Sequence, residues 1–448
     1  MPARFVTVDR ETPMLLPPDL RDWVPEDHLV HFVIDAVDQL DVSAARLNER
    51  GSGSEQYPPA MMLALLVYSY STGVFASRRI EQATHDNVAV RLLCADTHPD
   101  HDTICTLRRQ NRELLAHAFA QLLELAARCG QLQVGDITVA VDGTKILANA
   151  SRHAAVSYAR AGEQLRQVEL EIEQLLAKAD AADATPLRDG LTVEGELARR
   201  HERKARLARA RAEIEARAFA KAQAERAEKQ PDQPGPPPPA TPKPKDQYNF
   251  TDPDSRIMPT SGNDRFEQAY NAQAAVEIDS RLIVGQRVTQ APNDKQQLVP
   301  TVQAIEPAAG PVKQVLTDSG FVSEAAIQQL EQDEHGQSTG LTVLAAVKRE
   351  RHGRTVEQLE QRADPPAPPD DASFLERLAH RTATAAGRAR YKQRQQTVEP
   401  VFGIIKEALG FRRFLLRGLE KVSLEWSLVT LAYNFKRLHK LVTTLQPA

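Results

Sequence analysis

Cysteine is nearly absent from this 448-residue chain. Three residues, Cys94, Cys105 and Cys129, cannot pair off into a disulfide framework. That excludes the small stapled secreted domains and predicts a reducing, cytoplasmic setting. Long apolar runs are missing too. The longest notable one, Ala60 to Tyr68, is about half the roughly 20 residues a membrane-spanning helix needs, so no span is expected. The opening Met1-Pro2-Ala3-Arg4-Phe5 is followed by acidic residues rather than by the apolar core of a signal peptide. A large net charge is lacking as well. The sum of −4 argues mildly against a nucleic-acid binder, but its distribution argues the other way. Between residues 386 and 448, twelve Lys/Arg stand against four Glu, a local +8. Binding answers to the local patch, although a solvated basic helix is the plainer source of such a run. What is present in quantity is apolar residues, 42% of the chain, enough for one large core or two to three ordinary ones.

Residues 1–130 read as helical. Leu29 to Ile34 opens one apolar-rich segment, and Pro58-Pro59 precedes a second, where proline's missing N–H costs nothing. Asp102-Thr103 reads as the cap of a third, running through Ile104, Leu107, Leu114 and Leu115. Arg78, Arg79, Arg108, Arg109 and Arg112 stud this region, either to grip a DNA backbone or as ordinary surface of a packing domain. Within 131–150, Ile137 to Val141 is β-branched and almost wholly apolar, as a buried central strand should be, and Asp142 follows at its end. The sheet pattern then stops. Leu165, Val168, Ile172 and Leu175 form an a/d seam, Thr185 to Gly190 a turn, and a second Ala/Arg/Glu-rich helix carries Leu197, Leu207 and Ile214. Residues 151–229 thus read as an inserted helical hairpin, and the Pro-rich 230–247 as an extended, mobile linker.

Strand patterning resumes in 248–448. Tyr270 to Ile278 and Leu282 to Thr289 read as a hairpin, Asp294 to Ile305 as helix, and Val312 to Leu316 as a fourth strand ahead of Asp318. A helix opened by Ser323-Glu324, a fifth strand from Leu341 to Val347, and long closing helices including Trp426 to Leu441 complete the chain. The order of three strands, helix, strand, helix, strand, helix predicts an α/β fold: a mixed five-stranded sheet with helices, preceded by an all-α region and interrupted by the hairpin.

Three acids stand at the edges of apolar segments: Ala140-Val141-Asp142-Gly143-Thr144, Leu316-Thr317-Asp318-Ser319-Gly320 and Thr397-Val398-Glu399-Pro400. Far apart in sequence, they meet only if the fold gathers distant strand ends. For a single strand-end Asp, turn chemistry is the plain alternative. Gathered carboxylates repel unless a cation sits between them, and their oxygens suit hard cations such as Mg²⁺. A pair of such ions drives in-line attack on a phosphodiester. Because Pro400 disfavours helical geometry at the residue before it, Glu399 is expected in the first turn of a helix capped near Thr397. Val401, Phe402, Ile405 and Leu409 then form its buried stripe, and Lys406 lies two turns beyond Glu399. Other polar groups have plainer readings. Asn293-Asp294 fits a helix cap, and Asp136, Asp252, Asp254 and Glu277 fit turns or strand flanks. Cys94, His98, His101 and Cys105 are too compressed for an ordinary structural zinc site.

The motifs as a set resemble those of bacterial insertion-sequence transposases of the DDE class, whose core is ribonuclease-H-like. Val141-Asp142-Gly143-Thr144-Lys145 is similar to that family's first motif, and Tyr270-Asn271-Ala272-Gln273-Ala274-Ala275-Val276 to its second core strand. Asp318-Ser319-Gly320-Phe321 resembles its second-Asp motif. Tyr391, Arg394, Glu399 and Lys406 resemble its Tyr-Arg-Glu-Lys signature, with the Arg-to-Glu gap one residue longer. The resemblance implies a ribonuclease-H-like sheet, with Asp142, Asp318 and Glu399 as catalytic residues and metal ligands. It implies Mg²⁺ as cofactor, with Mn²⁺ able to substitute, and Tyr391, Arg394 and Lys406 as DNA contacts. The implied activity is metal-dependent cleavage at element ends and strand transfer into target DNA, by a homodimer on DNA in the cytoplasm, associated with the nucleoid. Two further readings are a nuclease of the same fold without strand transfer and a domesticated DNA-binding protein that no longer cleaves. The insertion departs from the family pattern: some relatives carry a β-rich one after the fifth strand, whereas here it is helical and follows the first.

Overall fold

Apolar periodicity builds the first third of the chain from six helices: α1 (Leu29–Asp38), α2 (Pro59–Ser71), α3 (Ser77–Asp86), α4 (Val88–Leu93), α5 (His101–Gln110) and α6 (Arg112–Arg128). The structure, a computed structural model, describes residues 19–47, 56–133, 135–181, 187, 190–229, 240–260, 265–347 and 364–445. Helix α2 is buried from Met62 through Ser71, so it is apolar on all sides because it is a central helix. Among the described residues no helix is long and apolar enough to cross a membrane. The helix expected from Asp102 to Leu115 is two. Asp100 caps α5, its carboxylate accepting the N–H groups of Asp102 and Thr103 at 2.8 Å each. Asn111 then leaves helical geometry, and its side chain accepts the N–H of Arg46. Leu114 and Leu115 therefore open α6.

Among the described residues the sheet is mixed and has six strands, one more than expected. Its centre is β1 (Ile137–Leu147), and β5 (Phe266–Glu277) runs antiparallel along one side of it. On the far side of β5 lie β6 (Ile283–Thr289) and the unexpected β4 (Arg256–Pro259), a four-residue strand ending in a proline that only an edge tolerates. On the other side of β1, β7 (Val312–Thr317) and β8 (Thr342–Ala345) follow in parallel. Strand β1 does not end at Asp142. Gly143, Thr144 and Lys145 continue it because they pair in register with Gln273, Ala272 and Asn271. The helix expected over Asp294 to Ile305 shrinks to α9, Leu298–Val302. Helix α10 (Glu324–Glu331) joins β7 to β8.

The two edges of β1 are filled differently. Strand β7 pairs only with Ile137 to Ala140. Farther along, the chain from Phe411 to Leu415 returns to the same edge. The Leu147 N–H donates to the Arg412 carbonyl at 3.1 Å, and the Phe414 N–H donates to the Leu147 carbonyl at 2.9 Å. Between these contacts, among the described residues, no strand pairs with Val141 to Ile146 on that side.

The inserted hairpin has its own small core. Helices α7 (Tyr158–Asp180) and α8 (Val193–Lys229) bury Val168 and Ile172 against Leu207, Ala210 and Ile214. A two-strand ribbon of β2 (Ala155–Ser157) and β3 (Gln247–Asn249) closes its base. Residues 230–239 of the Pro-rich linker lie outside the described residues.

Three helices end the chain: α11 (Phe374–Ala383), α12 (Ala385–Gly403) and α13 (Leu419–Leu445). Helix α13 joins the helical region to the sheet in one continuous core. Trp426 is fully buried and donates to the Gln273 carbonyl, while Asn434 clamps both backbone groups of Ile283. The acids expected in turns have a structural task here. Buried Asp252 accepts the Tyr270 hydroxyl and the Gly418 N–H, and Asp254 accepts the Leu419 N–H, so together they close the N-terminus of α13. Glu425 is fully buried and accepts the N–H groups of Leu415 and Leu416 at 2.9 Å each and the Tyr70 hydroxyl at 3.3 Å. Burial pushes its carboxyl up, and Arg108, itself buried against Tyr70, pulls it back.

Removing Glu425 strands two backbone donors and leaves Arg108 without its counter-charge. Glu425→Ala is expected to lower unfolding free energy by about 3–5 kcal/mol in urea titrations. Glu425→Gln, which keeps an acceptor, should lose less. A loss below about 1 kcal/mol for the alanine variant would remove this network from the fold's main supports.

Candidate active site

Two of the three acids meet beside the stretch of β1 that β7 leaves unpaired. The parallel register sets Ala140 beside Leu316, and the Thr317 hydroxyl donates to the Val141 carbonyl at 3.4 Å. One step on, Asp142 and Asp318 are neighbours across the end of β7. Asp318 caps the short turn Ser319–Phe321 by accepting the Gly320 N–H at 2.8 Å, which turns the chain away and leaves the edge open. Asp142 accepts the N–H of Gly143 through Oδ1 (2.8 Å) and Arg394 Nη1 through Oδ2 (3.1 Å). Burial pushes the Asp142 carboxyl up to about 6. The Arg394 guanidinium opposes that rise, and the charge of Asp318 adds to it.

A second layer lies against Gly143. The Asp294 carboxylate accepts the side-chain amides of Asn271 and Gln273 at 2.7 Å each and lies 3.8 Å from Lys145 Nζ. A Cβ on residue 143 would collide with the Gln273 amide and sit 2.7 Å from Asp294 Oδ1 and 2.9 Å from Asn271 Oδ1, so this layer requires glycine there. Lys145, Asn271 and Gln273 were not expected as site residues. The signal was Asn271 and Gln273 themselves, two polar side chains one pleat apart within the otherwise apolar stretch from Ala269 to Val276.

Helix α12 brings the remaining groups. Thr384 caps it, and it runs unbroken past Thr397, so Glu399 sits near its C-terminal end rather than in a first turn. Pro400 lies inside the helix at a cost of about 3 kcal/mol, which its buried neighbours Val398, Val401 and Phe402 offset. Arg394, with 10% of its side chain exposed, lies between Asp142 and Glu399, its Nη2 3.9 Å from Glu399 Oε1. Burial alone would lower the guanidinium's pKa, but Asp142, Tyr391, Asp318 and Glu399 hold it above its ordinary value, so it stays charged. Tyr391 is half-buried beside it, its hydroxyl pushed up by burial. Lys406 follows on a π turn, Ile404–Ala408. Burial lowers its pKa; Glu407 opposes, and Lys145 and Arg412 lower it further. Burial also lowers Lys145 against the pull of Asp294, Asp142 and Asp318. Lys145 and Lys406 thus bring two ammonium groups close to Asp142.

The donor set suits a hard cation. Asp142, Asp318 and Glu399 are all carboxylates, and the guanidinium between Asp142 and Glu399 occupies a place that calls for positive charge. The three are not drawn together as they stand. Among the described residues no cluster of three or more His, Cys, Asp or Glu is gathered for a metal, and Glu399 keeps 56% of its side chain exposed. The compressed Cys/His run forms no metal site either. Burial pushes the Cys94 thiol up to about 12, His98 bonds Thr84 and stacks on His85, and His101 bonds Glu81.

Both ends of the chain match known families. A model described as Transposase DDE domain matches residues 369–439, and one described as Transposase domain (DUF772) matches residues 18–110. No curated protein and no solved structure matches the chain. The first match contains Tyr391, Arg394, Glu399 and Lys406, whereas Asp142 and Asp318 lie outside both. Both are transposase domains, and they support an insertion-sequence transposase of the DDE class.

Because the folded-state pKa of Asp142 lies above its ordinary value of 3.8, near 6, the folded protein holds this proton more tightly than the unfolded chain. The resulting stability is fully present below pH 3.8 and is lost as pH rises through about 6, a fall of at most about 3 kcal/mol. Asp142→Asn should flatten that slope in chelator-treated protein and stabilise it at pH 7.5. Urea unfolding at pH 5 and 7.5 measures both, and equal stability of the two proteins at pH 7.5 would contradict the burial of this charge.

Proposed function

We propose that this chain is a transposase with a ribonuclease-H-like core that cleaves DNA at the ends of its element and joins the freed 3′ ends to target DNA. The observation that carries the proposal is the parallel register of β1 and β7, which sets Asp142 beside Asp318 on an open strand edge, with Arg394 linking Asp142 to Glu399. Three antiparallel strands followed by two parallel ones, with acids on the first and fourth of them and on a late helix, support the same reading. Asp142, Asp318 and Glu399 would hold Mg²⁺, or Mn²⁺ in its place, which when bound lowers the pKa of an attacking water and screens charge on the phosphodiester. Lys145 and Lys406 hold the substrate phosphate as point charges. Arg394 keeps Asp142 ionised before the substrate arrives, and Tyr391 packs behind it. In the helical region, exposed Arg78, Arg79, Arg109 and Arg112 serve as contacts to the DNA backbone, while Arg108, buried on Tyr70, does not.

Labelled element-end DNA with Mg²⁺ separates this reading from a nuclease without strand transfer and from a protein that only binds: joined product, nicks alone or a gel shift alone. Asp142→Ala, Asp318→Ala and Glu399→Ala should each abolish cleavage and leave end binding largely intact. A variant that cleaves at near wild-type rate removes its residue from the site.

Lys406→Ala is expected to reduce the slope of log affinity against log salt by about one phosphate's worth. Fluorescence anisotropy across a salt series measures it, and an unchanged slope would assign Lys406 a structural role.

A further inference from the structure

Past the open edge, where β1 ends, the chain builds a second polar surface that the site above does not use. A cleft of about 510 Å³ opens there, lined by Asn149, Arg152, His153, Arg413 and Arg417, with Glu267 among them. The backbone holds its walls. The pairing of Leu147 with the Arg412 to Phe414 segment fixes one side, the Asn149 amide donates to the Leu415 carbonyl at 2.7 Å, and Arg417 Nε donates to the Asn149 carbonyl at 2.9 Å. Three arginines and a histidine face one acid, and that acid, Glu267, lies 3.9 Å from Arg152. Arg413 is exposed and, among the described residues, makes no ion pair, while Arg417 commits only its Nε. The start of α13 nearby is not the source of attraction, because Asp252 and Asp254 already take its N–H groups. An excess of guanidinium on a rigid concave wall fits a chain of phosphates.

Position identifies which phosphates. Leu147 lies five residues along β1 from Asp142, roughly 17 Å at the rise of a strand. The cleft begins beyond Leu147, so the phosphates it meets are not the one at the cut. We propose that this cleft is a second DNA-backbone site, gripping the DNA away from the bond to be cut. The inference rests on the transposase reading above.

The test uses the full chain and duplexes carrying the element end. In fluorescence anisotropy over a salt series, the Arg152→Gln/Arg413→Gln double variant should lose about two from the slope of log affinity against log salt. Glu267→Gln, which removes the one opposing charge, should tighten binding, a gain that no folding defect can imitate. A neutral methylphosphonate scanned along the strand should weaken wild-type binding at a position away from the cleaved bond and leave the double variant indifferent there. An unchanged slope in the double variant, alongside a reduced one in Lys406→Ala, overturns the cleft and leaves the transposase reading standing. Failure of the wild-type protein to bind the duplex overturns both. Competition by millimolar inorganic phosphate without any position effect makes the cleft a free-anion site and also overturns the assignment.

Discussion

Strand β7 covers only the first four residues of β1, and the candidate site depends on that shortfall. A fully paired central strand would carry its side chains into a closed sheet. Here the pairing stops at Ala140, and the next partner on that edge arrives only at Leu147. Acids and cations from four separate elements fill the window between. Asp142 comes from the strand itself, Asp318 from the end of its short neighbour, Arg394 and Glu399 from α12, and Lys406 from the π turn beyond. Parallel register supplies the closeness of the first two without any contact between their side chains.

Charge balance inside that window is provisional. Desolvation raises Asp142 although a guanidinium lies 3.1 Å away, and two lysines nearby are pushed down by burial, Lys406 by the charge of Lys145 as well. Buried oxygens of Asn271 and Gln273 and the Nε of Arg394 have no hydrogen-bond partner among the described residues. Unsatisfied groups of this kind are costly in a site that serves only the fold. They are expected where a charged ligand completes the set.

Much of this was legible in the residues. Asp142 and Asp318 stood out because apolar strand-forming residues precede both, and the hairpin seam of Val168 and Ile172 found its partner on Leu207 and Ile214. The errors were of one kind. Local rules placed Glu399 at a helix start because Pro400 follows it, but a helix already capped at Thr384 carried the proline within it. The strand seemed to end at Asp142 because Gly143 and Lys145 look like loop, yet pairing with Gln273 and Asn271, some 130 residues away, decided otherwise. Asp252 and Asp254 do stand in a turn, the Ser255 N–H donating to the Asp252 carbonyl, but the helix start that their side chains close lies about 165 residues downstream, beyond any local reading. Each miss has a partner distant in sequence, which no short window contains.

Helix α13 has a consequence for how such a chain can change over generations. Most of it lies within the DDE match, yet it packs on α2, which lies within the other match at the opposite end of the chain. The Ser71 hydroxyl donates to the Ala432 carbonyl, Lys436 donates to the Ser71 carbonyl, and Phe32 stands edge-on to Phe435. First and last segments are thus halves of one packed layer. A recombinant that exchanged either alone would have to rebuild this interface, whereas the hairpin between them carries a core of its own and makes no such demand.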